Sequence, residues 1–311
     1  MTSQINTDTT PDSPNRFFIG SHELTAPALE SALYIVSTPI GNLGDITVRA
    51  LQTLAAADMI ACEDTRITGV LLNRYGIRVP MLSYHEHNAE RQRPKLLNTL
   101  NEGKAVALVS DAGTPLISDP GYRLVQDILE AEKKIFPIPG ASAVLAALVG
   151  AGLATDTFLF AGFLPQKKGA RSQRLSDLRT VPATLIFYES ARRLKASLAD
   201  MAQTLGSERQ AVVGRELTKR FETFERGTLQ GLADRFLEAP KGEIVVVVAP
   251  PAEEPVEAGD IDAMLLAALE TGSVSSAAGS VAKLSGQNRR ELYKRAMELK
   301  EKSQNGAPGE D

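Results

Sequence analysis

The stretch AVALVSDAGTPLISDPG, residues 105–121, is a short apolar strand running into a long polar turn and then a helix start. Residues 105–109 have the length and side chains of a strand buried in a parallel sheet. Ser110, Asp111, Gly113, Thr114 and Pro115 are turn residues, with Gly113 free to take positive φ and Pro115 fixing its own. Asp119 can cap, and Pro120 open, a helix reaching about Ala131. The eleven residues between strand and helix offer small side chains and backbone donors and acceptors at the carboxyl end of a strand, where open α/β sheets bind ligands. A plain surface loop is the alternative.

On the N-terminal side, LYIVS (33–37) is another strand. TPIGNLGD follows, and Asp45 or Thr47 can cap a helix over about 48–57. Strand, glycine-bearing turn and helix make a βα unit, without the G-x-G-x-x-G or terminal G-K-[ST] of nucleotide loops. DMIAC (58–62) runs into Glu63, Asp64, Thr65 and Arg66 at the same sheet edge, where Asp64 or Thr65 can equally cap a helix. A polar run, Ser83 to Asn88, precedes a helix over 89–101. His85 and His87 have no third or fourth ligand at metal spacing, so no metal is expected. Residues 134–137 make a further strand, Ser142 can cap or receive a carboxylate, and AVLAALVGAGL is a helix too small-sided to face water.

Beyond residue 157 the pattern becomes a second α/β set. FLFAGFLP and ATLIFYES are strands separated by the basic helix QKKGARSQRLSDL. A helix over 191–205, AVVGRELTKRFE, a GTL turn, a helix near 233–237 and GEIVVVVA complete it. The expected fold is α/β, with a mostly parallel N-terminal sheet, a mixed second sheet and a C-terminal helical segment. The boundaries are a disordered tail over 1–30, domains over 31–153 and 154–250, an acidic linker over 251–260, helices over 261–303, and a tail over 304–311. Within the third segment, Ser285-Gly286-Gln287 has helix-turn-helix spacing.

The 311 residues carry a net charge of −4 that conceals segregation. Residues 163–226 hold thirteen Lys and Arg against seven Asp and Glu, residues 283–302 seven against three, and residues 250–272 six acids and no base. Cys62 is the only cysteine, which excludes an internal disulfide and fits a reducing, cytoplasmic setting. No run approaches the length of a membrane span, and the N-terminus lacks a secretory pattern.

LYIVSTPIGNLGDIT, ACEDTR, HEHN, SDAGTPLISDPG, PIPGASA, FYES, RELTKRFE and GEIVVVV, in this order over residues 33–248, resemble the ribosomal RNA small subunit methyltransferase I family of the tetrapyrrole methylase superfamily. Two departures stand out: Ala141 where many relatives have Pro, and Ala191-Arg192 where Pro-His follows FYES. The resemblance implies two α/β domains around S-adenosylmethionine, a homodimer, and methylation of the ribose 2′-hydroxyl of a decoding-centre cytidine in 16S rRNA. It implies cofactor contacts from Pro39, Gly41, Ser110, Asp111, Ala112, Gly113, Pro115, Ser142, Ala143 and Tyr188.

Methyl transfer from a sulfonium is an in-line displacement that chiefly needs orientation. A ribose hydroxyl also needs an acceptor for its proton. Glu63, Asp64, His85, Glu86, Glu189 and Glu216 are candidates; Asp64 is favoured, with Arg66 as phosphate anchor and Glu63 beside it. Arg49, His85, Arg192, Arg193, Lys219 and Arg220 are candidate RNA contacts, with Tyr188 or Phe221 as a stacking face. The rival readings are a relative acting on a tetrapyrrole or a protein, and a non-catalytic ribosome-assembly factor.

Overall fold

The computed structural model describes residues 15–118, 121–252 and 258–305, so the expected cap at Asp119 and helix start at Pro120 lie outside the described residues. One compact unit runs to Pro251 and contains both sheets; Ala252–Asp311 is the second.

Residues 16–25 correct the expectation of a disordered tail to residue 30. They form an antiparallel hairpin of β1 (Arg16–Ile19) and β2 (His22–Thr25), turning at Gly20. Phe17 is fully buried, worth about 1.5–3 kcal/mol, and the Phe18 N–H donates to the Tyr75 carbonyl.

The first sheet follows as β3 (Leu33–Val36), α1 (Val48–Ala56), β4 (Met59–Cys62), α2 (Thr65–Arg74), β5 (Met81–Ser83), α3 (Ala89–Asn101), β6 (Val106–Val109), α4 (Tyr122–Glu130), β7 (Ile135–Ile138) and α5 (Ala143–Ala151). Its strand order is β5-β4-β6-β3-β7, parallel throughout. Along β6, Ala107 and Val109 join the apolar cluster that includes Leu51 and Leu54 of α1, while Val106 and Leu108 join the one that includes Leu96 of α3 and Leu124 of α4. Burial on both faces is why the strand reads as an unbroken apolar run. Thr47, rather than Asp45, caps α1, its Oγ1 accepting the Ala50 N–H at 3.1 Å.

The second sheet contains β8 (Phe158–Phe163), α6 (Lys168–Leu178), β9 (Thr184–Ser190), α7 (Leu194–Leu205), β10 (Gln210–Arg215), β11 (Thr223–Thr228), α8 (Leu229–Arg235) and β12 (Glu243–Val248). Its order is β11-β10-β12-β9-β8, and only the β8–β9 pair is parallel. Three local expectations are corrected. The GTL turn is the end of β11, with Thr228 capping α8, which starts earlier than expected; α7 begins at Leu194 instead of residue 191; and α5 does face water, with Leu145 52% and Val149 75% exposed. Small residues at Ala147 and Ala151 let its other side close onto Val212, Val245 and Val247 of the second sheet.

The second unit holds α9 (Ala258–Thr271), α10 (Val274–Ser285) and α11 (Arg289–Asn305). Leu265, Val281 and Leu292 share its small core, and Gly286, at φ +69°, ends α10 in the left-handed conformation.

Candidate active site

Parallel strands deliver their carboxyl ends to one edge of the sheet, and here the turns leaving β3 and β6 are tied together. The Thr38 N–H donates to the Gly113 carbonyl at 2.8 Å and the Gly113 N–H returns to the Thr38 carbonyl at 3.2 Å. Thr38 Oγ1 donates to the Ser110 carbonyl at 3.2 Å, and the Ser37 and Thr114 hydroxyls meet at 2.8 Å. Gly113 takes φ +77°, the freedom for which a glycine is needed there. The β7–α5 turn presses onto the same place: a Cβ on Gly140 would lie 2.9 Å from Ser37 Cβ.

Around this knot lie two clefts. The first, about 530 Å³, runs from Asp111, Gly113 and Thr114 past Ser142 and Ala143, which open α5, to Tyr188, Ile244 and Val245 of the second sheet. Two strained segments also line it. Leu116 and Ser118 take φ +74° and +66° on either side of Ile117, and Glu216 and Thr218 take φ +53° and +65° on either side of Leu217. Non-glycine residues rarely hold such φ, and strain of this kind gathers at ligand clamps. The second cleft, about 520 Å³, contains Pro39, Gly41, Ser110, Ile67 and Lys219. Ile40, Asp111, Ala112 and Glu243 line both.

The charged groups of this region differ sharply in how they are held. Asp64 lines neither cleft. Its Oδ1 caps α2 by accepting the Arg66 N–H at 2.8 Å, and both its oxygens accept from the Arg66 guanidinium, which holds its pKa down at about 2. The carboxylate thus caps α2, and its pairing with Arg66 lowers its affinity for a proton. Burial instead pushes Asp111 above the usual carboxylate range, against a bond of 3.0 Å from the Asp64 N–H to its Oδ1. Glu189 is buried and saturated: it accepts from the Ser190 N–H at 2.7 Å and from the Ser197 hydroxyl, and lies 3.5 Å from Arg193. Burial works against the charge on Lys219, but Glu216 and Glu243, at 2.9 and 3.0 Å, leave its pKa raised. Bonding to Lys219 lowers Glu216.

Of the residues marked out as cofactor contacts, Asp111, Ala112, Gly113, Ser142, Ala143 and Tyr188 meet at the first cleft, as does Glu63. Pro39, Gly41 and Ser110 belong to the second, and Pro115 lines neither. Ser142 Oγ accepts the Leu145 N–H at 3.4 Å, so it caps α5 at the mouth of the first cleft. The expected RNA contacts divide. Arg49, Arg192 and Arg220 are exposed, Arg220 lying over the Phe221 ring, and the Arg66 side chain is 89% exposed. Arg193 is corrected to a structural role, because its Nη2 donates to the Leu164 and Pro165 carbonyls. Lys219 is likewise held by carboxylates. His85 is tied by Nε2 to Asn88 at 3.1 Å and lines neither cleft. Sequence reasoning missed Ile117, Ser118, Leu217, Ile244 and Val245; Ile117 and Leu217 interrupt polar loops, and Ile244 and Val245 stand in the apolar run of β12, but nothing marks Ser118. Among the described residues no group of three or more His, Cys, Asp or Glu could hold a metal, and no helix is long and apolar enough to cross a membrane.

The family model described as Tetrapyrrole (Corrin/Porphyrin) Methylases matches residues 32–233, and that of the RsmI C-terminal HTH domain matches residues 255–300. A protein of Mesorhizobium japonicum named ribosomal RNA small subunit methyltransferase I is 55% identical over 293 residues, 94% of this chain and all of that protein. The chain belongs to the ribosomal RNA small subunit methyltransferase I family. Solved structures add the fold. Cobalt precorrin-4 methyltransferase superposes at a TM-score of 0.55, with 21% identity over 70% of this chain and 95% of its own. Uroporphyrin-III C-methyltransferase of Thermus thermophilus, complexed with S-adenosylhomocysteine, gives 0.51, with 18% identity over 70% of this chain and 96% of its own.

Proposed function

We propose that this chain transfers the methyl group of S-adenosylmethionine to the ribose 2′-hydroxyl of a decoding-centre cytidine in 16S rRNA, as a cytoplasmic homodimer. The observation carrying this reading is the pair of clefts meeting at Asp111 and Ala112, on a chain whose relative over its whole length is named an rRNA methyltransferase. The first cleft fits the donor. Its volume lies in the range of small-molecule sites, the N-terminus of α5 at Ser142 and Ala143 suits a carboxylate, and Ile244 and Val245 offer an apolar wall. When bound, S-adenosylmethionine supplies an electrophilic methyl on a positive sulfur.

The chain's own task is then orientation. The paired bonds between Thr38 and Gly113 fix the turn between the clefts, so that an acceptor in the second faces a donor in the first, an effect of large potential size. The Gly113 loop surrounds the reacting centre with backbone dipoles that need no reorganisation. The second cleft has the apolar side chains of Leu43, Ile67 and Val70, 37%, 47% and 62% exposed, against which a splayed nucleoside can lie. Leu145 and Val149 are apolar surface that a second copy would cover.

Purified protein incubated with small ribosomal subunits and labelled S-adenosylmethionine tests this. Mass mapping should find one ribose-methylated cytidine. Label in a tetrapyrrole or in protein would favour the rival enzymes, and donor binding without any methylation would favour an assembly factor.

A further inference from the structure

Four carboxylates line the first cleft: Glu63, Asp111, Glu189 and Glu243. Only two of them, Asp111 and Glu243, also line the second. A proton acceptor for a group held in one cleft and attacking into the other must stand on their common boundary. Glu243 stands there with its side chain 73% exposed and paired to Lys219. Asp111 is half-buried, with one oxygen fixed by the Asp64 N–H, and has no ion pair within contact distance among the described residues.

We propose that Asp111 is the catalytic base, taking the proton from the acceptor's ribose hydroxyl. This rests on the reading above that a ribose 2′-oxygen is the nucleophile. The O–H bond breaks, with its proton passing to the carboxylate. The ribose oxygen forms its bond to the methyl carbon as the carbon–sulfur bond breaks, and that pair stays on sulfur. The protonated Asp111 later returns its proton to water. An anion beside a sulfonium opposes its discharge only while it remains an anion; here both charges disappear in one step.

The surroundings favour this assignment. Burial raises the affinity of Asp111 for a proton, the negative charge of Asp64 raises it further, and the Asp64 N–H and Arg66 oppose them. The Cys62 thiol nearby is itself pushed up by burial and is neutral at physiological pH. Glu63, Glu189, which is bonded to Ser190 and Ser197, and the Glu243–Lys219 pair are the other charged groups of the two clefts. Because the base must be deprotonated, activity falls as pH drops through the pKa of Asp111, a limb lying above that of an ordinary carboxylate.

Asp111→Asn keeps an oxygen for the Asp64 N–H. It should lower kcat by about 10²–10⁴-fold, abolish the acid limb, and leave S-adenosylmethionine affinity by calorimetry within about threefold. Asp64→Asn should keep the limb but move it to lower pH, since it removes a negative neighbour and frees Arg66. The apoprotein gives an independent reading: a raised carboxylate makes folding less favourable as pH climbs above the ordinary carboxylate value, so Asp111→Asn should gain melting temperature relative to the parent as pH rises through that region. A variant that retains the acid limb, or loses donor binding in parallel with kcat, overturns the assignment while leaving methylation by the parent chain intact. If the parent methylates no ribose, the underlying function fails instead.

Discussion

Gly140→Ala tests whether the approach of the β7–α5 turn to the end of β3 is a requirement of the site. A methyl there would lie 2.9 Å from Ser37 Cβ and 3.1 Å from the Ser37 carbonyl oxygen, against ordinary contacts of 3.4–4 Å. Both obstacles belong to a buried residue whose hydroxyl is held by Thr114, so neither can swing aside. The turn must retreat by about half an ångström or more, and overpacking of this kind costs about 1–3 kcal/mol. For a unit of this size that is roughly 2–12 °C in melting temperature. Because Ser142 opens α5 two residues on, the retreat also displaces the N–H groups offered to the donor, and about 1.4 kcal/mol lost there is a tenfold weaker Kd. Thermal unfolding and calorimetry with S-adenosylmethionine read both effects. Gly169→Ala is the control: it lies inside α6 with nothing within 4 Å of its Cβ position, and the same chemical change should be neutral or stabilise by up to about 1 kcal/mol. A Gly140→Ala protein that melts and binds like the parent refutes the reasoning.

Arg171 and Asp200 form an ion pair with each side chain only 8% exposed, the Nε–Oδ2 bond being 2.6 Å. Arg171→Ala should cost about 3–5 kcal/mol in denaturant unfolding, because it strands a buried carboxylate; a loss under 1 kcal/mol would mean water reaches Asp200. The carboxylate of Asp64, with its pKa lowered to about 2, contributes stability that is present above the ordinary value near 4 and is lost as pH falls towards 2. The gap in melting temperature between the parent and Asp64→Asn should therefore close over that range, and a constant gap would contradict the pairing with Arg66. Neighbouring arginines should part company: Arg192→Ala should flatten the logarithmic salt dependence of rRNA binding by about 0.7–1. Arg193→Ala should leave the slope alone and lower the melting temperature, since its guanidinium is spent on Glu189 and two carbonyls.

Those two arginines show where a sequence stops being readable. The parallel sheet was legible because β6 is apolar on both faces, and the turn at Ser110 because Gly113 and Pro115 leave few alternatives. The cap at Ser142 was readable from its side chain, whereas Asp45 and Thr47 were both candidates for α1 and the fold selects Thr47. The hairpin at 16–25 escaped because a polar tail dilutes the pair Phe17-Phe18, whose burial depends on residues as distant as Tyr75 and Gly76. The strain around Ile117 and Leu217 left no mark, since Leu116, Ser118, Glu216 and Thr218 are held at positive φ by tertiary packing and not by their own preference.

Charge misleads for the same reason. Of the thirteen cations in residues 163–226, Arg171, Arg193, Arg209, Arg215, Lys219 and Arg226 spend their donors inside the chain, on carboxylates or backbone carbonyls. Lys167, Lys168, Arg174, Arg179, Arg192, Lys195 and Arg220 remain exposed with no ion pair among the described residues. At about 0.7 per phosphate on single strands, these can supply a salt slope near −5, against about −9 for the whole segment. A basic stretch thus sets an upper bound on RNA contacts, and the folded partners decide how much of it is available. The same logic separates Asp64 from Asp111. The sequence presents two acids at the ends of adjacent strands, but only the fold gives one its arginine and the other a place between two clefts.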